Sequence, residues 1–544
     1  MLEENKAKIF FRSGDTRTTE LLVDHGADIN RYNNFNETPL FLAADYCENL
    51  ELVEFLVKKG AHLNQITSYG QSPIMAAAVN GHLEIVKYLA SKHADLDIKD
   101  KNDQTIIHLA AKHNRSSVIE EILDLETTPR DFMVNENDQL DNTPLHLACA
   151  EGFLETVRVL VEHGAEIDNK NEDEQTPFHM AASAGHTEVV EYICGHDKGA
   201  VNDLDEDDNT ALHLAASNKM SQTVDVLLEH GSDVRKRNDK DWTPLDCAAA
   251  SGSFKCAAKI LEVGADVDPM DRKKTTPLHL TAIHGHPKVT KLLLDHGAKV
   301  DIETDEGRSA LELAIEHGNK SVAEVILASD HWRSAMTASG VGPENNLDTP
   351  LRMLVRKFPD LATKVLDKCI TKEAVTVREK KQTKVVFDFG FIEDTFNYQE
   401  IADTIQLKKV EAEEELGVRE SSKIVRRYEY RPGDNPYSNN SLEVQDNHPL
   451  MIMANQKQKD LLKHSLCLAL LRRKWNKFKY LFYFYLMFYC VYLALITSYV
   501  LIDMDQVGKE QTNAKLLLSF RIPIVSVIGF GLFLEILDLF RVKL

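Results

Sequence analysis

The chain has 544 residues, 43% hydrophobic and 27% charged, with a formal net charge of −22. That length exceeds one compact domain, and the composition is that of folded protein. The acidic balance, with no basic patch in the first half, argues against a general nucleic-acid binder. Eight scattered cysteines (Cys47, Cys149, Cys194, Cys247, Cys256, Cys369, Cys467, Cys490) form no CxxC pair, which fits reduced cytosolic thiols better than a disulfide framework.

The first residues, MLEENKAKIF, lack the apolar stretch of a signal peptide. Glycosylation at Asn114-Arg115-Ser116 is therefore not expected. Residues 1–34 read as a partial repeat, with Gly14, Leu21 and Leu22 in its second half and a first helix expected near Asn5. This is either an improvised cap or a unit whose upstream part is missing.

Residues 35–330 carry nine units led by Thr38, Ser72, Thr105, Thr143, Thr176, Thr210, Thr243, Thr276 and Ser309, most of them 33 or 34 residues apart. The step from Thr105 to Thr143 is longer. The unit TPLHLACAEGFLETVRVLVEHGAEID (143–168) shows the logic. Thr143 caps a helix and Pro144 suits its first turn. Ala148 and Ala150 permit close approach of the paired helix, and Gly152 permits the turn between helices. Val157, Leu160 and Val161 line one face of the second helix, and Gly164 stops it. The same stop recurs at Gly26, Gly60, Gly231, Gly264 and Gly297, with His93 replacing it once at some strain. Polar stretches after each stop make protruding fingers. A period near 33 with TPLHxA resembles ankyrin repeats. One helix pair cannot bury its own apolar face, so the expected fold is mainly α: a curved solenoid of stacked pairs whose concave surface binds proteins or couples motion.

Within the repeats, His108, His146, His179, His213 and His279 share one position, and His163, His230 and His296 precede stop glycines. Helix-start hydrogen bonding and helix-end charge account for them, because one histidine per unit does not cluster as zinc ligands do. Asp203, Asp205 and Asp207 mimic the start of an EF-hand loop, but Asp208 stands where glycine is needed and Leu214 where the bidentate glutamate belongs. No Walker, GxGxxG, GxSxG, HExxH or DHHC-type motif is present, so enzyme activity and a cofactor are not expected.

Residues 331–370 read as a degenerate capping repeat opened by Thr349-Pro350-Leu351. Residues 371–479 form a pre-membrane linker. KVVFDFGFI (384–392) is a predicted strand, EAEEELG (411–417) is acidic, and RPGDNPYSNN (431–440) is a loop. From His448 helical periodicity resumes, with Leu461, Leu462, Leu466, Leu470 and Leu471 sharing a face. Residues 480–502 hold no charge over about 23 positions, enough to cross a hydrocarbon core of about 30 Å. Residues 503–514 form a short extracellular loop, 515–538 a second span interrupted by Arg521, and 539–544 a cytosolic end. Arg472, Arg473, Lys474, Lys477 and Lys479 precede the first span and Arg541 and Lys543 follow the second, against one Lys509 in the loop. Both termini are therefore expected in the cytosol of a multi-pass membrane protein.

FPDLATKVLDKC (358–369), HPLMIM (448–453) and DLLKHSLCLALLRRKW (460–475) are similar to the pre-membrane region of the transient receptor potential ankyrin (TRPA) channels, and the chain resembles that family through the second membrane helix. The resemblance implies a tetrameric, non-selective, calcium-permeable cation channel gated by temperature or chemical stimuli. Family members have six membrane helices per subunit, with the pore between the last two. This chain stops after the second, so it is expected not to conduct alone and to be a fragment or truncated product. Cys369 and Cys467 match family positions and are candidate sensor cysteines, but Leu361 stands where electrophile-sensing members carry their most reactive thiol. The residues alone make both cysteines packing groups. Glu535 and Asp538, spaced i, i+3, are a candidate half of a regulatory calcium site; pairing with Arg541 is the plain alternative. The competing reading of the whole chain is a membrane-tethered ankyrin adaptor that binds protein partners without conducting ions.

Overall fold

A computed structural model describes residues 16–125, 133–337, 349–377, 380–393 and 448–507. The chain divides into two compact units, Met1–Ala298 and Lys299–Leu544.

The first unit opens with helix Thr16–Asp24 and continues as paired antiparallel helices, beginning with Pro39–Tyr46 and Leu50–Lys58 and ending with Pro277–His284 and Pro287–Asp295. The inner helices stack on one another in chain order, as do the outer ones. Each inner helix is almost wholly buried: in Pro144–Glu151, Leu145, Ala148 and Cys149 are fully buried. Each outer helix buries one stripe, as Val157 and Leu160 do in Leu154–Glu162.

Three backbone devices repeat. The first is the turn between paired helices, whose residue adopts the left-handed conformation at Gly81, Asn114, Gly152, Gly185, Lys219, Gly252 and Gly285. The next amide then donates back into the inner helix, as Phe153 N does to Ala148 O (3.0 Å) and His186 N to Ala181 O (3.0 Å). The second is the stop. Gly26, Gly60, Gly164, Gly231, Gly264 and Gly297 have φ between 84° and 93°, and His93 takes the same region at 64°, which costs a residue with a Cβ about 1 kcal/mol.

The third device is the finger. Five residues before each cap, a short polar side chain folds the finger onto itself: Asp138 Oδ1 accepts from the amides of Leu140 and Asn142 (both 2.9 Å), and Asp205 Oδ1 from those of Asp207 and Asn209 (3.1 and 2.7 Å). Asn33, Thr67, Asp100, Asn171, Asn238 and Asp271 do the same. Successive fingers are then joined amide to carbonyl: Ser68 N to Phe35 O, Lys101 N to Tyr69 O, Gln139 N to Asn102 O, Glu172 N to Leu140 O, Glu206 N to Asp173 O and Asp239 N to Asp207 O. The polar character of the fingers is legible in the sequence; this ladder is not.

The second unit holds the pair Ala310–Glu316 and Lys320–Ala328, a short helix Trp332–Met336, and a second pair Pro350–Lys357 and Pro359–Lys368. An antiparallel hairpin follows, β1 (Ile370–Val377) and β2 (Lys380–Phe387), with Ile370 opposite Phe387 and Val377 opposite Lys380. The strand expected at 384–392 is thus corrected. Its first part belongs to β2, but Gly390–Glu393 is a helical turn, because Asp388 turns back to bond Gly390 N (3.1 Å). β1 has no counterpart in the sequence reading.

The helical connector also needs correction. Helices Pro449–Asn455 and Lys459–Leu462 form a third pair that packs on the second. It uses the repeat's own devices: Pro449 at the first turn, Lys457 left-handed (φ 56°) in the glycine position, and Gln458 N bonded back to Met453 O (2.9 Å). Helix Ser465–Val507 then runs unbroken for 43 residues. It passes the boundary placed at 502 and takes in the first residues assigned to the loop 503–514. Among the described residues no helix is long and apolar enough to cross a membrane. The stretch 480–502 lies within this helix, where only part of the side chains is described, and 515–538 lies outside the described residues.

Candidate functional site

Two kinds of side chain hold repeat to repeat in the first unit. The histidine of TPLH is one. His146 Nδ1 accepts from Thr143 N (3.0 Å), which leaves the proton on Nε2, and this donates to Gln175 O in the next unit (3.0 Å). His108 reaches Asn142 O (2.9 Å) and His213 reaches Trp242 O (3.0 Å) in the same way. His179 instead reaches Asp203 O (3.0 Å). Burial pushes the imidazoles of His146 and His213 down to about 4 and lowers His108 and His179. They are therefore neutral structural groups. The residue after the left-handed turn is the second kind: Arg115 Nε donates to Val79 O (2.9 Å), His186 Nε2 to Ala150 O (2.9 Å) and His286 Nε2 to Ala250 O (3.1 Å). Each is the end of the preceding inner helix.

In the second unit Gln458 makes the equivalent bond, Nε2 to Val355 O (2.7 Å). The stacked pairs there converge on the start of the long helix, and this junction is the candidate site. Arg333 pairs with Asp388 (2.8 Å), and its guanidinium and Lys368 both lie over the Trp332 ring, at 4.8 and 5.3 Å. Trp332 packs on Phe391 (5.7 Å between centroids). Burial opposes the charge on Asp388, but the Arg333 guanidinium and the Gly390 amide outweigh it and hold the carboxyl below its ordinary range. The base of the hairpin is fixed by Asp388 N donating to Cys369 O (2.9 Å). From the long helix, Arg473 lies over Phe389 (5.5 Å). His464, just before that helix, accepts from Leu466 N (3.3 Å) and meets Asp367 (2.9 Å). His448 caps the third pair by accepting from Leu450 N (3.1 Å); burial, with the charges of Lys474 and Arg352 adding, pushes it down to about 3. The short helix, the end of the hairpin, the second and third helix pairs and the long helix are thus tied by polar and aromatic contacts.

Both candidate sensor cysteines sit at this junction. Cys369 ends helix Pro359–Lys368 and Cys467 is in the first turn of the long helix; both are buried, and burial pushes both thiols up to about 11. A thiol so placed is a poor nucleophile. Glu535 and Asp538 lie outside the described residues. Among the described residues no three His, Cys, Asp or Glu side chains group as metal ligands. The sequence singles out none of Trp332, Arg333 and Asp388, and Arg473 only as a charge flanking the first span. Reading 384–392 as strand concealed Asp388, whereas the run His331-Trp332-Arg333 at the start of the stretch assigned to the capping repeat was a usable signal.

Ankyrin repeats (3 copies) match the overlapping stretches 9–100, 51–133, 74–171, 107–204, 167–238, 194–271 and 259–334, and the chain belongs to the ankyrin-repeat family. Its ankyrin region is TRPA-like: the chain is 31% identical over 381 residues, 68% of its length, to the transient receptor potential cation channel subfamily A member 1 homolog of Caenorhabditis elegans. It is 35% identical over 85 residues to NF-kappa-B inhibitor alpha of Gallus gallus and 36% identical over 86 to the B-cell lymphoma 3 protein homolog of Mus musculus, covering 15% and 16% of its length. The chain spans only 31% of the worm protein, 24% of the inhibitor and 19% of the lymphoma homolog.

Proposed function

We propose that this chain is a subunit, in whole or part, of a non-selective, calcium-permeable cation channel of the plasma membrane, self-associating as a tetramer with both ends of the chain cytosolic. Its ankyrin stack senses temperature or a chemical stimulus, and the junction at Trp332, Arg333, Asp388 and Arg473 passes the change to the helix that enters the bilayer. The observation that carries this reading is the extent of the similarity to the worm channel. Its 381 aligned residues exceed the 334 that end the ankyrin matches, so it reaches past the repeats into the region of the junction. The long helix supports it: Tyr480, Tyr483, Phe484, Met487, Phe488, Val491 and Tyr492 are all 40% exposed or more, an apolar surface that water disfavours and lipid accepts. Calcium regulation through Glu535 and Asp538 belongs to the same proposal. A membrane-tethered adaptor is the second reading, favoured by the likeness over 85 residues to NF-kappa-B inhibitor alpha.

The test is expression of the full transcript, recording of cation current under thermal and chemical ramps, and alkaline carbonate extraction of the membranes. A stimulus-gated current whose threshold shifts in Arg333→Met supports the channel. Carbonate-resistant protein without current supports the adaptor, and complete release by carbonate overturns both.

A further inference from the structure

The histidine position of the repeat is not always histidine. In the seventh unit it is Asp246, and in the ninth Glu312. Asp246 reproduces half of the histidine's work. Its Oδ2 accepts from Thr243 N (2.8 Å) and Thr243 Oγ1 (2.7 Å), so the start of helix Pro244–Ser251 is capped. A carboxyl is shorter than an imidazole and does not reach the next unit. Its second oxygen, Oδ1, is buried with no hydrogen-bond partner, in a residue only 2% exposed. Glu312 repeats the arrangement: one oxygen accepts from Ser309 N (2.9 Å), and Oε1 is buried without a partner in a fully buried residue.

We propose that Asp246 makes the contact between the seventh and eighth repeats a proton-released joint: its carboxyl holds the stack closed while it carries a proton, and loss of that proton opens helices Pro244–Ser251 and Phe254–Glu262 ahead of their neighbours. A neutral carboxyl leaves one hydroxyl without a partner in that site. An ionised one leaves a charge there with no donor for its second oxygen and no countercharge in contact, which is far worse.

The surrounding groups do not relieve this. The preceding inner helix presents His213, whose Nε2 is already committed to Trp242 O. The following inner helix, Pro277–His284, carries His279 at the same position, where Nδ1 is engaged with Thr276, and His284 at its end. On the paired outer helix, Lys255 and Glu262 are exposed, and Lys259 is held by Asp225. From the fingers, Arg237 lowers the carboxyl's pKa but is itself paired with Asp241 (3.3 Å), and Asp271 raises it. Burial dominates and pushes Asp246 up to about 7. At the ninth unit Glu312 also rises to about 7 through burial; Arg308, paired with Glu316 (2.8 Å), opposes, and Glu303 and Glu316 reinforce. The buried Arg352 lies on the inner helix stacked against it.

The joint stands whether or not the chain conducts ions. The test is amide hydrogen exchange of the full chain in detergent at pH 6 and pH 8, corrected for intrinsic rates, in wild type, Asp246→Asn and Asp246→His. An opened carboxyl ionises near 4 and the closed one near 7, so the opening equilibrium of 244–262 rises about tenfold between pH 6 and pH 8 in wild type. Asp246→Asn keeps the cap, cannot ionise and abolishes the step. Asp246→His keeps the cap and gains a reach toward the next unit; an imidazole buried like those of His146 and His213 protonates more readily when opened, so the rise gives way to a fall of about fourfold. A wild type with no rise at 244–262 between pH 6 and pH 8, or a rise that persists in either variant, overturns the proposal.

Discussion

His146→Ala isolates the contribution of one repeat histidine. The side chain is fully buried and makes three bonds, from Thr143 N (3.0 Å) and Thr143 Oγ1 (2.9 Å) to Nδ1 and from Nε2 to Gln175 O (3.0 Å). Truncation leaves the buried Thr143 amide without its acceptor, at about 1–3 kcal/mol, and removes one of the two donors to Gln175 O, which keeps Asn171 N (3.0 Å), at about 1 kcal/mol. The imidazole volume is lost as well, so about 3–5 kcal/mol is a reasonable sum. His146→Asn retains a capping acceptor and loses the bond to Gln175 O together with part of the ring volume, so its cost is about 1–3 kcal/mol. Hydrogen exchange of the chain reads both locally. Protection in 144–162 and 177–196 is expected to fall by about two to three orders of magnitude for His146→Ala, by about one to two for His146→Asn, and little in 39–58. A loss below tenfold for His146→Ala, or one spread evenly along the stack, would refute the assignment of the histidine as a bond between units.

Glycine substitutions separate strain from collision. Gly152→Ala places a Cβ 2.2 Å from His186 Nδ1 on top of a left-handed φ of 78°, whereas Gly264→Ala (φ 90°) meets nothing within 4 Å. Gly264→Ala is expected to cost about 1 kcal/mol and Gly152→Ala clearly more, measured as midpoint shifts in urea. Cys369 and Cys467 are expected to react with maleimide only after denaturation; rapid native labelling of either at pH 7.5 would contradict their burial. The repeat histidines have folded pKa values below the unfolded 6.5, so the unfolded chain binds more protons as pH falls. Their contribution is intact above pH 6.5 and is lost from there toward pH 4, so thermal midpoints of His146→Asn and His213→Asn should depend less on pH in that window than wild type.

The fold is legible in the sequence wherever one residue type is forced by backbone geometry. The capping threonines, Pro144 and its equivalents, and the stop glycines all recur for that reason, and they located the helix pairs. Legibility fails where a different residue fills the same role. His448 replaces threonine as cap and Lys457 replaces glycine at the left-handed turn, so the third pair of the second unit read as a plain connector. β1, ITKEAVTV, intersperses Lys372 and Glu373 among its β-branched residues and gave a weak strand signal. Of the junction, only Cys369 and Cys467 were singled out, and by resemblance rather than chemistry. The pairing of Arg333 with Asp388 spans 55 residues, and no periodicity encodes such a contact.

The ladder of amides and carbonyls along the fingers makes no demand on the side chain at each tip. Phe35, Tyr69, Asn102, Leu140, Asp173 and Asp207 all lend a carbonyl to the next finger, yet they are aromatic, amide, aliphatic and acidic in turn. Chemistry displayed along that margin can therefore drift, or be selected for new acquaintances, while the scaffold underneath stays the same.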